Sequence, residues 1–113
     1  MDILEKKMGG VCVISLSERL DAYGANDVEK KLDSLIDTGQ IQLVVNLENL
    51  EYISSSGLRV FLAALKKVRK QQGDMILAGL QPFIQEIFDI AGFTQLFTIF
   101  TSEESALTSF GEK

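Results

Sequence analysis

The feature that most restricts this chain's fold is a three-part alternation around residues 41–73. An apolar run, Ile41-Gln42-Leu43-Val44-Val45-Asn46-Leu47, is followed by Ser54-Ser55-Ser56-Gly57 and then by a helical pattern ending at Gly73. The run is apolar on both faces apart from Gln42 and Asn46, as in a strand of a parallel sheet covered by helices. Leu58, Phe61, Leu62, Leu65 and Val68 recur at helical spacing and form one stripe. Lys66, Lys67, Arg69 and Lys70 crowd the last turns, where cations suit the negative end of the helix dipole. Gly73 stands where a left-handed cap is usual. The three serines therefore lie at the positive end of a helix, just past a buried strand. Serine is a preferred N-cap, and the same place suits an anion, including a phosphate carried on a serine.

The rest of the chain repeats the alternation. Residues 2–8 form a short mixed segment, and Gly9-Gly10 suggests a hairpin turn into the β-branched strand Val11–Leu16. Ser17-Glu18-Arg19-Leu20-Asp21 reads as a polar loop anchored by Leu20. Residues 22–38 read as a helix with Val28, Leu32, Leu35 and Ile36 inward, capped by Asp21 or starting later at Asn26, and ended by Gly39. Residues 48–53 read as a link to the serines. Residues 74–78 form a strand, and Gln81-Pro82 opens a helix whose inward face is Phe83, Ile84, Ile87, Phe88 and Ala91, ended by Gly92. Residues 96–100 read as a last strand. Thr101-Ser102-Glu103-Glu104 has the form of a capping box opening a short helix, and residues 110–113 are expected to fray. Strands alternating with helices imply an α/β fold, a mainly parallel, mixed sheet with right-handed crossovers. No linker, low-complexity tract or repeat interrupts residues 1–113, so one domain is expected.

Composition narrows the function. The chain has 113 residues, no histidine and one cysteine, Cys12, so neither an intrachain disulfide nor the commonest general base is available. Cys12 sits in Val11-Cys12-Val13-Ile14 and reads as a buried strand thiol. A formal net charge of -5 argues against nucleic-acid binding. No run approaches the ~20 apolar residues needed to span a bilayer. The charged start, Met1-Asp2-Ile3-Leu4-Glu5-Lys6, is unlike a signal peptide, so a cytoplasmic location is expected and no membrane contact. The sequence lacks GxSxG, GxxxxGK, GxGxxG and CxxC patterns. The nearest lysine on the serine helix is Lys66, about 15 Å from the serines at ~1.5 Å per residue, too far to act as their base. No enzyme activity, cofactor or metal site is expected. Tyr23 and Tyr52 are expected half-buried at loop edges. Phe93, Phe97 and Phe100 either pack beneath the last strand or form a patch for self-association.

The segments LVVNLENLEYISSSGLRVFLAAL and GDMILAGLQPFIQEIFDIAGFTQLF resemble the STAS domain family, and within it the bacterial anti-sigma factor antagonists. The resemblance runs from the Val11 strand to the terminal helix. In that family the loop reads aspartate-serine-serine-glycine-leucine, and the first serine of the pair is phosphorylated. Matched here, Ser54 takes the aspartate place, Ser55 the phosphorylated place, and Ser56, Gly57 and Leu58 follow. Ser54 departs from the family's aspartate, and Glu18 departs from its usual glycine in the segment that carries Asp21. The resemblance implies a partner-binding surface including Asp21, Ser54, Ser55, Ser56, Gly57 and Arg59. It implies a histidine-kinase-like ATPase that is both serine kinase and anti-sigma factor as partner, and a PP2C-type phosphatase to reset the switch. The chain itself is expected as a monomer or weak homodimer. The rival expectations are a docking or scaffold module without phosphorylation, favoured by Ser54, and a small nucleotide-binding module, disfavoured by the missing glycine-rich loop.

Overall fold

A computed structural model describes residues 1–111. Five strands form one sheet in the order β1-β2-β3-β4-β5: Ile3–Met8, Val11–Leu20, Gln42–Ile53, Asp74–Ala78 and Ile99–Phe100. β1 pairs with β2 antiparallel, and every later pairing is parallel. The α-helices are α1 (Ala22–Asp37), α2 (Ser55–Lys70), α3 (Pro82–Ile90) and α4 (Glu103–Ser109).

The strand order explains the layering. Each parallel crossover, β2-α1-β3, β3-α2-β4 and β4-α3-β5, steps one strand in the same direction. Right-handed connections then place α1, α2 and α3 on one face. Cys12, Ile14 and Leu16 of β2, Leu43, Val45 and Leu47 of β3, and Met75 and Leu77 of β4 point into that layer. Val28, Leu32, Leu35 and Ile36 meet them from α1, Phe61, Leu65 and Val68 from α2, and Ile84 and Phe88 from α3. The alternate residues Val11, Val13, Val44, Ile76 and Ala78 face α4 through Ala106 and Leu107. With both faces covered, period-2 hydrophobicity disappears from the central strands, which is why they read as continuous apolar runs.

Several expectations are corrected. β2 does not stop at Leu16, and residues 48–53 are not a link: both belong to strands that run on as a pair to Leu20 and Ile53. The left-handed residue after α2 is Gln72 (φ 67), not Gly73. Gly73 is needed for close approach instead, because a Cβ there would lie 2.1 Å from the Ile41 carbonyl oxygen, which accepts from Asp74 N–H. Phe83 and Ala91 face solvent rather than the core. Residues 93–95 form a 3-10 turn, leaving only Ile99–Phe100 as the last strand. The cap of α4 is Ser102, whose hydroxyl accepts from Ser105 N–H, so Thr101 and Glu104 form no capping box. Tyr23 is 85% exposed, whereas Tyr52 is half-buried as expected. Phe93 and Phe97 do pack inward, both edge-on to Phe88, while Phe100 turns to the α4 side. Gly9-Gly10, the Asp21 cap, Gly92 (φ 77) and the buried Cys12 stand as read. Of the end expected to fray, Phe110 is the cap residue of α4, and residues 112–113 lie outside the described residues.

Glu103 ties α4 to the sheet through Lys6 at 2.6 Å and Asn46 Nδ2 at 3.0 Å. Partial burial pushes its pKa up, but the hydrogen bonds from Lys6 and Asn46 and the Lys6 charge outweigh it and hold the carboxyl below its ordinary 4.5. A carboxyl with a lowered folded-state pKa stabilises the fold above its ordinary value and loses that contribution as pH falls through the folded one. Urea titrations from pH 6 down to 2.5 should therefore show an acid loss of stability that Glu103→Gln makes shallower. Gly73→Ala should cost about 1–3 kcal/mol by the same measurement, since the backbone of Ile41 must move.

Candidate functional site

β1 accompanies β2 only to Leu16, and β4 accompanies β3 only to Asn46. Beyond those points β2 and β3 project as a two-stranded finger. Register shifts fall between Ser15 and Ser17 and between Glu18 and Arg19, so one strand bulges against the other. Glu18 adopts φ 65, a left-handed conformation that glycine takes without cost. That geometry fits the glycine that the resemblance leads one to expect at this place. Arg19 pairs in register with Tyr52 and stacks its guanidinium 4.1 Å from the ring centroid. Leu20 pairs with Ile53, and both are buried.

At the tip of the finger two helices begin side by side. Asp21 caps α1, its Oδ1 accepting from Gly24 N–H at 2.8 Å. Ser54 caps α2, its Oγ accepting from Gly57 N–H at 3.1 Å. The two starts are joined by one backbone bond, Ser54 N–H to the Leu20 carbonyl at 2.8 Å. Gly57 is buried against the finger: a Cβ there would lie 2.9 Å from Leu20 side-chain carbons and 3.0 Å from Ile53. Neither helix has an acidic residue in its first turn.

The candidate residues from the sequence thus come together, but with different surroundings. Ser55 is exposed, and among the described residues its hydroxyl has no hydrogen-bond partner. Ser54 and Asp21 are half-buried and committed to their caps. Ser56 is half-buried in the wall of a groove between the helices, and Gly57 is buried. Arg59 is exposed one turn into α2, its Nε 3.5 Å from the Ser55 carbonyl. The groove, about 460 Å³, is lined by Ala22, Ala25, Asn26 and Glu29 of α1 and Ser56, Arg59, Val60 and Ala63 of α2. Only Ser56 and Arg59 of these were foreseen. The signal for the rest was the small residues Ala22, Ala25 and Ala63, which let the outer helix surfaces sink below their neighbours, but alanine is too common in helices to be read that way unaided. A second recess, lined by Leu80, Gln85, Thr94, Phe97 and residues 99–101, lies under α3, away from the serines. Among the described residues no cluster of three metal-ligating side chains occurs, and no helix is long and apolar enough to cross a membrane.

The arrangement is a small polar tip on a rigid support. Among the described residues it offers two unbonded hydroxyls at a helix N-terminus, Ser55 exposed and Ser56 half-buried, with a groove beside them. Comparison with known proteins gives the family. The family model of the STAS domain matches residues 3–106. BtrV of Bordetella bronchiseptica, provisionally named an anti-sigma factor antagonist, is 34% identical over 110 residues, 97% of this chain and 95% of that one. The anti-sigma F factor antagonist of Paenibacillus polymyxa is 31% identical over 100 residues, 88% and 86% of the two chains. Among solved structures, the Bacillus cell-fate determinant SpoIIAA in its phosphorylated form superposes with a TM-score of 0.79 over 96% of this chain and 99% of that one, at 22% identity. The chain belongs to the STAS domain family.

The cap assignment makes a separate prediction. Ser54→Ala should lose about 1 kcal/mol of stability in urea, a typical cap deletion, while Ser54→Asp should retain it, because a carboxylate caps the same N–H and also suits the helix dipole.

Proposed function

We propose that this protein is an anti-sigma factor antagonist whose partner binding is switched by phosphorylation of Ser55. The observation that carries the proposal is the exposed, unpartnered Ser55 hydroxyl at the front of α2, in a chain whose relatives bear that function in their names. The partner is a histidine-kinase-like ATPase that serves as both anti-sigma factor and serine kinase. The unmodified protein docks on it through the α1 and α2 starts and the groove between them, and the sigma factor is released. Ser54, Ser56 and Arg59 frame the contact on α2, and Asp21 frames it on α1.

Transfer of phosphate to Ser55 adds about −1.5 to −2 charge at pH 7. Within this chain the charge meets the positive end of the α2 dipole and is tolerated. Facing the partner's bound nucleotide it is repulsive. A loss of ~3 kcal/mol there lowers affinity more than a hundredfold, so no rearrangement of the sheet is needed. A PP2C-type phosphatase, acting in trans, restores the hydroxyl. Replacement of the family's aspartate by Ser54 removes one negative charge beside the acceptor while keeping the cap. The kinase therefore reads this acceptor without an adjacent carboxylate.

The test is binding and phosphate transfer with the cognate kinase. Ser55→Ala should bind about as well as the natural protein and take up no phosphate, and Ser55→Asp should bind at least about tenfold more weakly. A protein that gains no mass with kinase and ATP, and whose Ser55→Asp variant binds unchanged, is a constitutive docking module instead.

A further inference from the structure

β1 forms one edge of the sheet. Its inner side pairs with β2, and among the described residues nothing pairs with its outer side. The Gly9-Gly10 turn closes on Met8 and Val11. A two-residue hairpin closes on a hydrogen-bonded pair, and such pairs alternate along an antiparallel ladder. Met8, Lys6 and Leu4 therefore turn their backbone groups toward β2, and Lys7, Glu5 and Ile3 turn theirs outward. Lysines on an open edge are a common guard against strand addition, but these stand in a pattern that complements itself.

Laid antiparallel on a second copy about Lys6, each Glu5, already paired with Lys31 of its own α1, gains a second cation in Lys7 of the other copy, and each Leu4 stands opposite Met8. The charged pairs fall on the α1 side of the sheet. The apolar pairs fall on the opposite side, where Leu4 is 71% and Met8 36% exposed. The two Lys6 side chains meet at the axis, but each is already paired with its own Glu103 at 2.6 Å, so their charge is compensated. Neighbouring registers lose this match. Centring on Glu5 opposes two glutamates, each paired with its own Lys31, and sets Leu4 against Lys6 and Ile3 against Lys7, so its apolar residues meet charged ones. Centring on Lys7 opposes two lysines and sets Lys6 against Met8. Centring between residues sets outward backbone groups against inward ones and breaks the ladder.

We infer that β1 is a self-association edge through which two copies join in an antiparallel β1–β1 ladder centred on Lys6. The twofold axis runs perpendicular to the sheet. Both α1–α3 layers lie on one face of a continuous ten-stranded sheet, and the two Ser55 tips point to opposite ends, so the dimer presents two docking sites.

Disulfide trapping reads the register directly. Lys6 sits in a non-hydrogen-bonded pair with Cα atoms about 4.5 Å apart, within reach of a disulfide. Cys12, fully buried, does not compete. Oxidised at millimolar concentration, Lys6→Cys should form a covalent dimer on a non-reducing gel at least about tenfold faster than Glu5→Cys, whose two copies are offset by two residues, about 7 Å, along the ladder. Equal rates, or faster trapping at Glu5, would overturn the register. Sedimentation equilibrium of the chain without added cysteines tests the association itself. Its mass should rise toward double with concentration, Lys7→Glu should weaken the association about tenfold, and Glu5→Lys combined with Lys7→Glu should restore it. A natural chain that stays monomeric at millimolar concentration would overturn the inference, with no bearing on Ser55.

Discussion

The contact on which this molecule depends is that of Leu20 and Ile53 with the bare backbone of Gly57. Leu20 ends β2 and Ile53 ends β3, and both are buried beneath the start of α2. Because Gly57 has no side chain, α2 can settle directly on them, with less space than a methyl group would need. The Leu20 carbonyl then receives Ser54 N–H, so the end of one strand fixes the start of the neighbouring strand's helix. Packing at protein-interior density leaves little freedom for such an assembly to shift. The two helix starts therefore have a fixed relation to each other, which a recognition surface requires.

Function follows from what that packing leaves outside. Ser54 and Asp21 spend their side-chain oxygens on caps. Ser55 is carried by the same turn but points away, with its hydroxyl uncommitted. Helix N-termini favour negative charge, so a modification that would disturb most buried turns is locally acceptable here. The switch proposed here would change what a partner meets and leave the support intact. The glutamate with φ 65 in the finger fits the same picture: a strained residue is kept where the surrounding strands determine its conformation.

Much of this was legible in the sequence, and the failures have physical causes. The central strands, the three long helices, the Asp21 cap as one of two starts and a cap among the three serines follow from apolar runs, helical stripes and cap chemistry. The finger did not, because its two bulges break the alternation that marks a strand, so Glu18-Arg19 and Glu48-Asn49 looked like loop. Gly73 was placed correctly but for the wrong reason: the need was proximity to Ile41, a contact between residues far apart in sequence. The groove was invisible for a related reason, since it is made by two helices whose facing depends on the sheet beneath them. The family resemblance suggested the role proposed for Ser55, and the residues alone supplied only its position at a helix start.

The central claim is that the partner meets the paired starts of α1 and α2. It is tested most directly by recording amide NMR spectra of the isotope-labelled protein while the anti-sigma partner is added. The account predicts that the largest changes cluster at residues 19–29 and 52–63, with α3 and β5 nearly unaffected. Changes centred on α3, the 93–95 turn and β5, with the serine turn silent, would contradict it.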